Sequence, residues 1–137
     1  KIGKRVLIRP GVRVTYPWNL TMGDYVWIGD NVHLYSVAEI SIGSHSCVSQ
    51  ESYLCAGTHD YRDVTFAFVS TPIKIGEECW VAARSFIGPG VEIGDAAVVG
   101  AGSVVMTSVD AETIVAGNPA KFVGKRTRDA TLAVRSL

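Results

Sequence analysis

No stretch of this 137-residue chain approaches the ~20 consecutive apolar residues that a membrane-spanning helix needs. The first twenty residues, KIGKRVLIRPGVRVTYPWNL, interleave basic and aliphatic side chains and hold no continuous signal core. A cytoplasmic protein without stable membrane insertion is therefore expected. Charge of one sign is missing as well. Thirteen Lys plus Arg balance thirteen Asp plus Glu, so no global field attracts nucleic acid or anionic lipid, and any basic site must be local. Cysteine is scarce: Cys47, Cys55 and Cys79 are odd in number and include no CxxC pair, which fits reduced thiols better than a disulfide framework. Histidine is limited to His33, His45 and His59. What remains is 47% hydrophobic and 19% charged, a composition that excludes disorder and suffices for one domain with a sizeable core.

Within that composition an aliphatic residue returns every six positions, often followed by Gly, as in Ile2-Gly3, Met22-Gly23, Ile28-Gly29, Ile42-Gly43, Ile75-Gly76, Ile87-Gly88 and Ile93-Gly94. Filling the six-residue grid gives the triplets Ile2/Ile8/Val14, Met22/Ile28/Leu34, Ile42/Val48/Leu54, Ile75/Val81/Ile87 and Ile93/Val99/Val105. Two residues before most of these sit small or aliphatic side chains, among them Val26, Val32, Ser46, Ser52, Cys79, Ser85, Val91, Ala97 and Ser103. In extended chain, positions i and i−2 share a face, and this one must be the interior. Gly, Asp, Asn and Pro follow in GDN at 29–31, GPG at 88–90 and GDA at 94–96, where tight turns need a positive or a fixed φ. Three strands and three corners close an 18-residue triangular coil, and successive coils stack by parallel pairing at roughly 4.8 Å per layer. The first positions 2, 22, 42, 75 and 93 differ by 20, 20, 33 and 18, so two corners carry two extra residues and one carries a long excursion. An α/β domain or a β-sandwich predicts no such sustained phase. Outward apolar side chains at Phe86, Val104 and Met106 mark a partner surface.

The excursion, CAGTHDYRDVTFAFVSTP at 55–72, holds His59. Stacked coils offer few concave surfaces, so chemistry is expected where a loop leaves the stack. The segment GTHDY at 57–61 ahead of IKIGEECW at 73–80, the run WVAARSFIGPGVEIGDAAVVGAGSVV at 80–105, and AGNPAK at 116–121 together resemble the hexapeptide-repeat O-acetyltransferases. PWNLTMGDYVWIGD, SQESYLCAGTHDY and GNPA are most similar to their exopolysaccharide branch, typified by colanic acid acetyltransferases.

The resemblance implies an all-β, left-handed parallel β-helix of about five triangular coils with one extruded loop and a short C-terminal extension. Residues 1–105 would form the coils with a catalytic loop at 55–74, and residues 106–137 an extended segment that runs back along the coils, with RDATLAVRSL as a short helix. It also implies a homotrimer with active sites between subunits, acetyl-coenzyme A as acyl donor, a sugar or polysaccharide precursor as acceptor, and no metal. His59 would be the general base, because a sugar hydroxyl needs a base that works near neutral pH, which an imidazole supplies. Trp80 would lie near the acetyl end, with the small Ala82, Ala83, Ala101 and Gly102 admitting the pantetheine arm. Asn118 and Pro119 would close the far side, and Lys121, Lys125 and Arg126 would contact phosphate.

The match has departures. Met106-Thr107 stands where galactoside enzymes have Thr-Lys, and Gly29 and Val37 replace polar residues that hold their acceptor, so a galactoside acceptor is not implied. Trp27, Tyr35, Tyr53, Tyr61, Phe66 and Phe68 are candidates for a sugar-stacking platform, for packing or for the trimer interface. Asp60 or a backbone carbonyl would orient the imidazole. Cys55 is read as an incidental outward thiol, with an acetyl-cysteine route as its rival. Two further classes compete: a carbonic-anhydrase-like zinc enzyme, which requires His33, His45 and His59 to converge, and a structural solenoid, which has no use for the loop.

Overall fold

The structure is a computed structural model and describes residues 1–129. The helix expected over RDATLAVRSL lies, from residue 130 on, outside the described residues, and Arg128 and Asp129 carry no regular structure. Two- and three-residue strands wind into an all-β solenoid of about five turns with three parallel faces. The first face stacks Leu20–Met22, Ile40–Ile42, Ile73–Ile75 and Glu92–Ile93. The second stacks Leu7–Ile8, Trp27–Ile28, Cys47–Val48, Trp80–Val81, Val98–Val99 and Thr113–Gly117, and the third Arg13–Val14, His33–Tyr35, Tyr53–Cys55, Phe86–Ile87 and Val104–Val105.

Register places each grid residue on its equivalent in the next coil. Ile8, Ile28, Val48, Val81, Val99 and Val115 form one column. Val14, Leu34, Leu54, Ile87 and Val105 form a second, and Ile2, Met22, Ile42, Ile75, Ile93 and Val109 a third. The side chains two residues earlier, from Val26 to Ser103, are buried beside them. Inward serines cost little because corner carbonyls satisfy them: Ser46 Oγ donates to Gly76 O at 2.7 Å and Ser103 Oγ to Gly100 O at 2.6 Å.

The corner glycines act differently from the expectation. The residues at positive φ are mostly not glycine but Tyr25, Asn31, His45, Glu51, Glu78, Arg84, Ala96 and Glu112. The glycine after each aliphatic is instead required by the neighbouring coil: a Cβ on Gly43 would lie 2.5 Å from Gly76 C, and one on Gly94 would lie 2.4 Å from Ala111 N.

Two edges of the prism turn with these tight corners. The third edge, from the third face to the first, carries every insertion: eight positions separate Val14 from Met22 and Leu34 from Ile42, and twenty-one separate Leu54 from Ile75. Parallel pairing also continues past 105. After a four-residue step from Val105, Val109 bridges to Ile93 and Thr113–Gly117 joins the second face. Ala120–Lys125 then returns antiparallel to it, so TIVAGNPAKFVG forms a hairpin at the end of the second sheet and does not run back along the coils.

Candidate active site

The long excursion is a β-hairpin. Gly57–His59 pairs antiparallel with Phe68–Ser70, with His59 opposite Phe68. Its base is fixed to the coil by Thr71 N–H donating to Ala56 O at 2.9 Å, and its turn closes through Asp60 N to Ala67 O at 2.9 Å and Phe66 N to Asp63 O at 2.9 Å. Phe66 takes φ +51 within that turn. His59 is exposed, and its Nδ1 lies 2.9 Å from the Phe66 carbonyl oxygen. A carbonyl only accepts, so Nδ1 carries the proton and Nε2 keeps a free lone pair. The imidazole is further held by its rings: it stacks on Phe66 at 4.2 Å and 3°, and meets Phe68 edge to face at 5.4 Å.

The choice left open between Asp60 and a carbonyl is thus resolved by the turn. Asp60 Oδ1 accepts from Arg62 N and Nε, both at 3.0 Å, and these bonds hold its carboxyl below its ordinary range. Cys55 differs from the expected outward thiol: it is buried, and Sγ donates to Gly57 O at 3.1 Å.

Along the same edge, Tyr16, Trp18, Asn19, Val37 and Phe68 line an open groove of about 350 Å³. Phe68 belongs at once to this groove and to the His59 cluster. Of the six candidate aromatics, the hairpin brings Phe66 and Phe68 to His59. Tyr35 and Tyr53 instead pack with His33 on the third face, where His33 stacks on Tyr53 at 4.7 Å. Burial, with Arg13 nearby, pushes the His33 pKa down, and burial pushes the Tyr53 phenol up to about 12. Trp27 stands on the second face, and Tyr61 is exposed in the hairpin turn.

The residues expected at the cofactor fall mainly on a different edge, between the second and third faces. Trp80 opens a second-face strand and donates from Nε1 to Ser49 Oγ at 2.9 Å. Ala82 and Ala83 follow at the corner; Gly102 N donates to Ala83 O at 2.8 Å, so Ala101 and Gly102 lie one layer further on. The next layer is the hairpin turn containing Asn118 and Pro119, where Gly117 N donates to Ser103 Oγ at 3.1 Å. Lys121 pairs with Ala116 beside that turn. Lys125 and Arg126 do not join this row. Four strand residues carry Lys125 roughly 13 Å from Lys121, and Arg126 donates through Nη1 to Glu78 O at 2.7 Å and Ala96 O at 3.1 Å on the edge between the first and second faces. The local basic cluster read from the sequence is therefore split between two edges.

The three histidines occupy three separate surroundings: His33 in the third-face aromatic column, His45 stacked on Tyr25 at a corner, and His59 in the hairpin. Among the described residues no group of three or more His, Cys, Asp or Glu side chains is placed to hold a metal. Nor, among them, is any helix long and apolar enough to cross a membrane. Sequence reasoning missed the Phe66 carbonyl, seven residues from the ring it orients; the lining of the groove by Tyr16 and Trp18 was signalled only by a two-residue lengthening of a corner.

Comparison with known proteins places this geometry in context. Residues 72–106 match the family described as bacterial transferase hexapeptide, six repeats. The Escherichia coli K12 protein WcaF, which carries the name of a colanic acid biosynthesis acetyltransferase, is 55% identical over 126 residues, covering 92% of this chain and 69% of its own length. A hexapeptide-repeat acetyltransferase of Vibrio cholerae complexed with acetyl-coenzyme A superposes with a TM-score of 0.85 at 28% identity, covering 92% of this chain and 70% of that one. A maltose O-acetyltransferase from Clostridium difficile gives 0.86 at 27%, covering 92% and 69%.

Proposed function

The chain belongs to the hexapeptide-repeat acetyltransferases, and from that premise we propose that it moves an acetyl group from acetyl-coenzyme A to a hydroxyl of a sugar or polysaccharide precursor, with His59 as general base in one ternary complex. The observation that carries the role of His59 is its bond to the Phe66 carbonyl, which keeps the proton on Nδ1 and turns Nε2 into the only basic nitrogen of the ring. His59 Nε2 takes the proton of the acceptor hydroxyl as that oxygen attacks the thioester carbonyl. As the tetrahedral intermediate collapses, the imidazolium returns the proton to the departing thiolate, so the ring ends neutral and ready for the next cycle.

The row Ala82, Ala83, Ala101 and Gly102 is the track for the pantetheine arm, since small side chains let it approach extended backbone. Trp80 stands at its acetyl end and Asn118 and Pro119 at the other. Lys121, exposed beside that turn, is the phosphate contact; Arg126 is engaged with two carbonyls and serves as a tie for the C-terminal strand. This track and the His59 hairpin rise from different edges of one prism, so a site that contains both is completed by a second copy. That division supports a homotrimer with active sites between subunits.

The test is release of free thiol from acetyl-coenzyme A against a panel of nucleotide sugars, lipid-linked oligosaccharides and polysaccharide fragments. His59→Ala is expected to lower turnover on the accepted substrate by about 10²- to 10⁴-fold while the thermal transition stays in place. Unchanged turnover in that variant would overturn the reading.

A further inference from the structure

We infer that the groove between Tyr16, Trp18, Asn19, Val37 and Phe68 is the acceptor subsite, and that it holds a neutral pyranose ring by stacking the ring's C–H face on Trp18. The inference rests on the acetyl-transfer reading above and specifies where the acceptor sits. Three consecutive coils depart from the 18-residue repeat, and all three departures pile up on one edge. The longest carries His59, and the two short ones supply Tyr16 to Asn19 and Val37. Insertions scattered by drift would have no reason to stack.

The short insertions are also built to be rigid. Ser36, fully buried, accepts from Tyr16 N at 3.0 Å and donates to Tyr16 O at 2.9 Å, while its own carbonyl accepts from Asn19 Nδ2 at 3.0 Å. Pro17 opens the 3-10 turn Pro17–Asn19 with its φ already fixed. This clamp presents an indole that is 77% exposed, the side of which leans on Tyr16 at 5.3 Å. A large aromatic held out of the core on a fixed frame offers a flat apolar face at low entropy cost, and such a face suits a sugar ring.

Continuity with the catalytic group comes from Phe68, which walls the groove on one side and meets the His59 ring on the other. A volume of about 350 Å³ lies within the range of small-ligand sites. None of the lining residues is charged, so the ring bound here is a neutral hexopyranose and not a uronic acid, and a phosphate of the acceptor lies elsewhere.

Saturation-transfer NMR with methyl glycosides of neutral hexopyranoses and of hexuronic acids tests this on the intact protein. At least one neutral glycoside is expected to be saturated on its ring protons and the uronides are not. Trp18→Ala should weaken that binding about tenfold and Trp18→Phe should restore most of it. The acetyl-coenzyme A affinity and the oligomeric state by light scattering should not move with either variant. Unweakened binding in Trp18→Ala, saturation of uronides alone, no saturation of any glycoside, or loss of the native oligomer in Trp18→Ala would each overturn the assignment. His59→Ala separates the two ideas: it is expected to keep the glycoside signal while losing turnover. If it keeps both, the catalytic reading fails and the subsite stands.

Discussion

Gly57→Ala adds one methyl group at the foot of the catalytic hairpin, and the consequence can be worked from three distances. The new Cβ would lie 2.7 Å from Val37 Cγ2, 2.9 Å from Phe68 Cζ and 3.0 Å from Tyr35 Cε1, against an optimum of roughly 3.5–4.0 Å for carbon contacts. Each neighbour must therefore withdraw by roughly 0.5–1 Å. Tyr35 is confined by its edge-on contacts with His33 and Tyr53. Phe68 is half exposed and yields first, and it is the ring that packs against His59. Gly57 does not use a positive φ, so the effect is one of volume and not of backbone strain. Overpacking of this kind costs about 1–3 kcal/mol, which lowers the thermal midpoint by roughly 3–10 °C in a chain of this size. Displacing a positioned base by a large fraction of an ångström lowers turnover by about ten- to a hundredfold. Thermal unfolding and thiol release from acetyl-coenzyme A measure the two effects side by side. A variant with wild-type turnover and an unmoved midpoint would refute the argument that close packing around Gly57 sets the position of His59.

Three more outcomes follow from the same geometry. Asp60→Asn should change turnover by no more than about threefold, because this carboxylate serves Arg62 and not the imidazole; a fall as large as that from His59→Ala would assign it the orienting role. Cys55→Ala should keep most turnover while losing about 1 kcal/mol of stability for its bond to Gly57 O, and intact mass after incubation with acetyl-coenzyme A should show no adduct on Cys55 in the wild type. His33 has a depressed pKa in the folded chain, so the unfolded chain takes up a proton first as pH falls below the ordinary value of 6.5. Stability should therefore decline from that value down through the lowered one, and His33→Gln should flatten this part of a series of thermal midpoints from about pH 7.5 to about pH 5; an equal or steeper slope in the variant would contradict the assignment.

The stack was legible because one constraint repeats. Every inward residue must fill the same triangular interior, so the phase from Ile2 to Val105 gave the register of all three faces. The purpose of the glycines was not legible, since the clash that excludes a side chain at Gly43 or Gly94 is with Gly76 or Ala111 of the next coil, which are remote in sequence from the turn itself. The excursion was recognisable as a departure, but its hairpin was not: the eight-residue connection from 60 to 67 lacks the Asn-Gly or Asp-Gly signature of a short turn. His59 stood out by residue type and place. Its partner did not, because a backbone carbonyl has no sequence mark. Small residues at 82, 83, 101 and 102 align because grid spacing carries them to one edge, whereas Lys125 and Arg126 follow a hairpin reversal that the hexad does not encode, and so end on another.

The central claim is that His59 of one subunit faces the sulfur of coenzyme A lying along the small-residue edge of a neighbour. A crystal structure of the oligomer with coenzyme A bound measures it directly. The thiol is expected within about 5 Å of His59 Nε2, with Ala83 and Gly102 of the adjacent copy against the pantetheine arm. A thiol more than about 10 Å from every His59 ring in the assembly would contradict it.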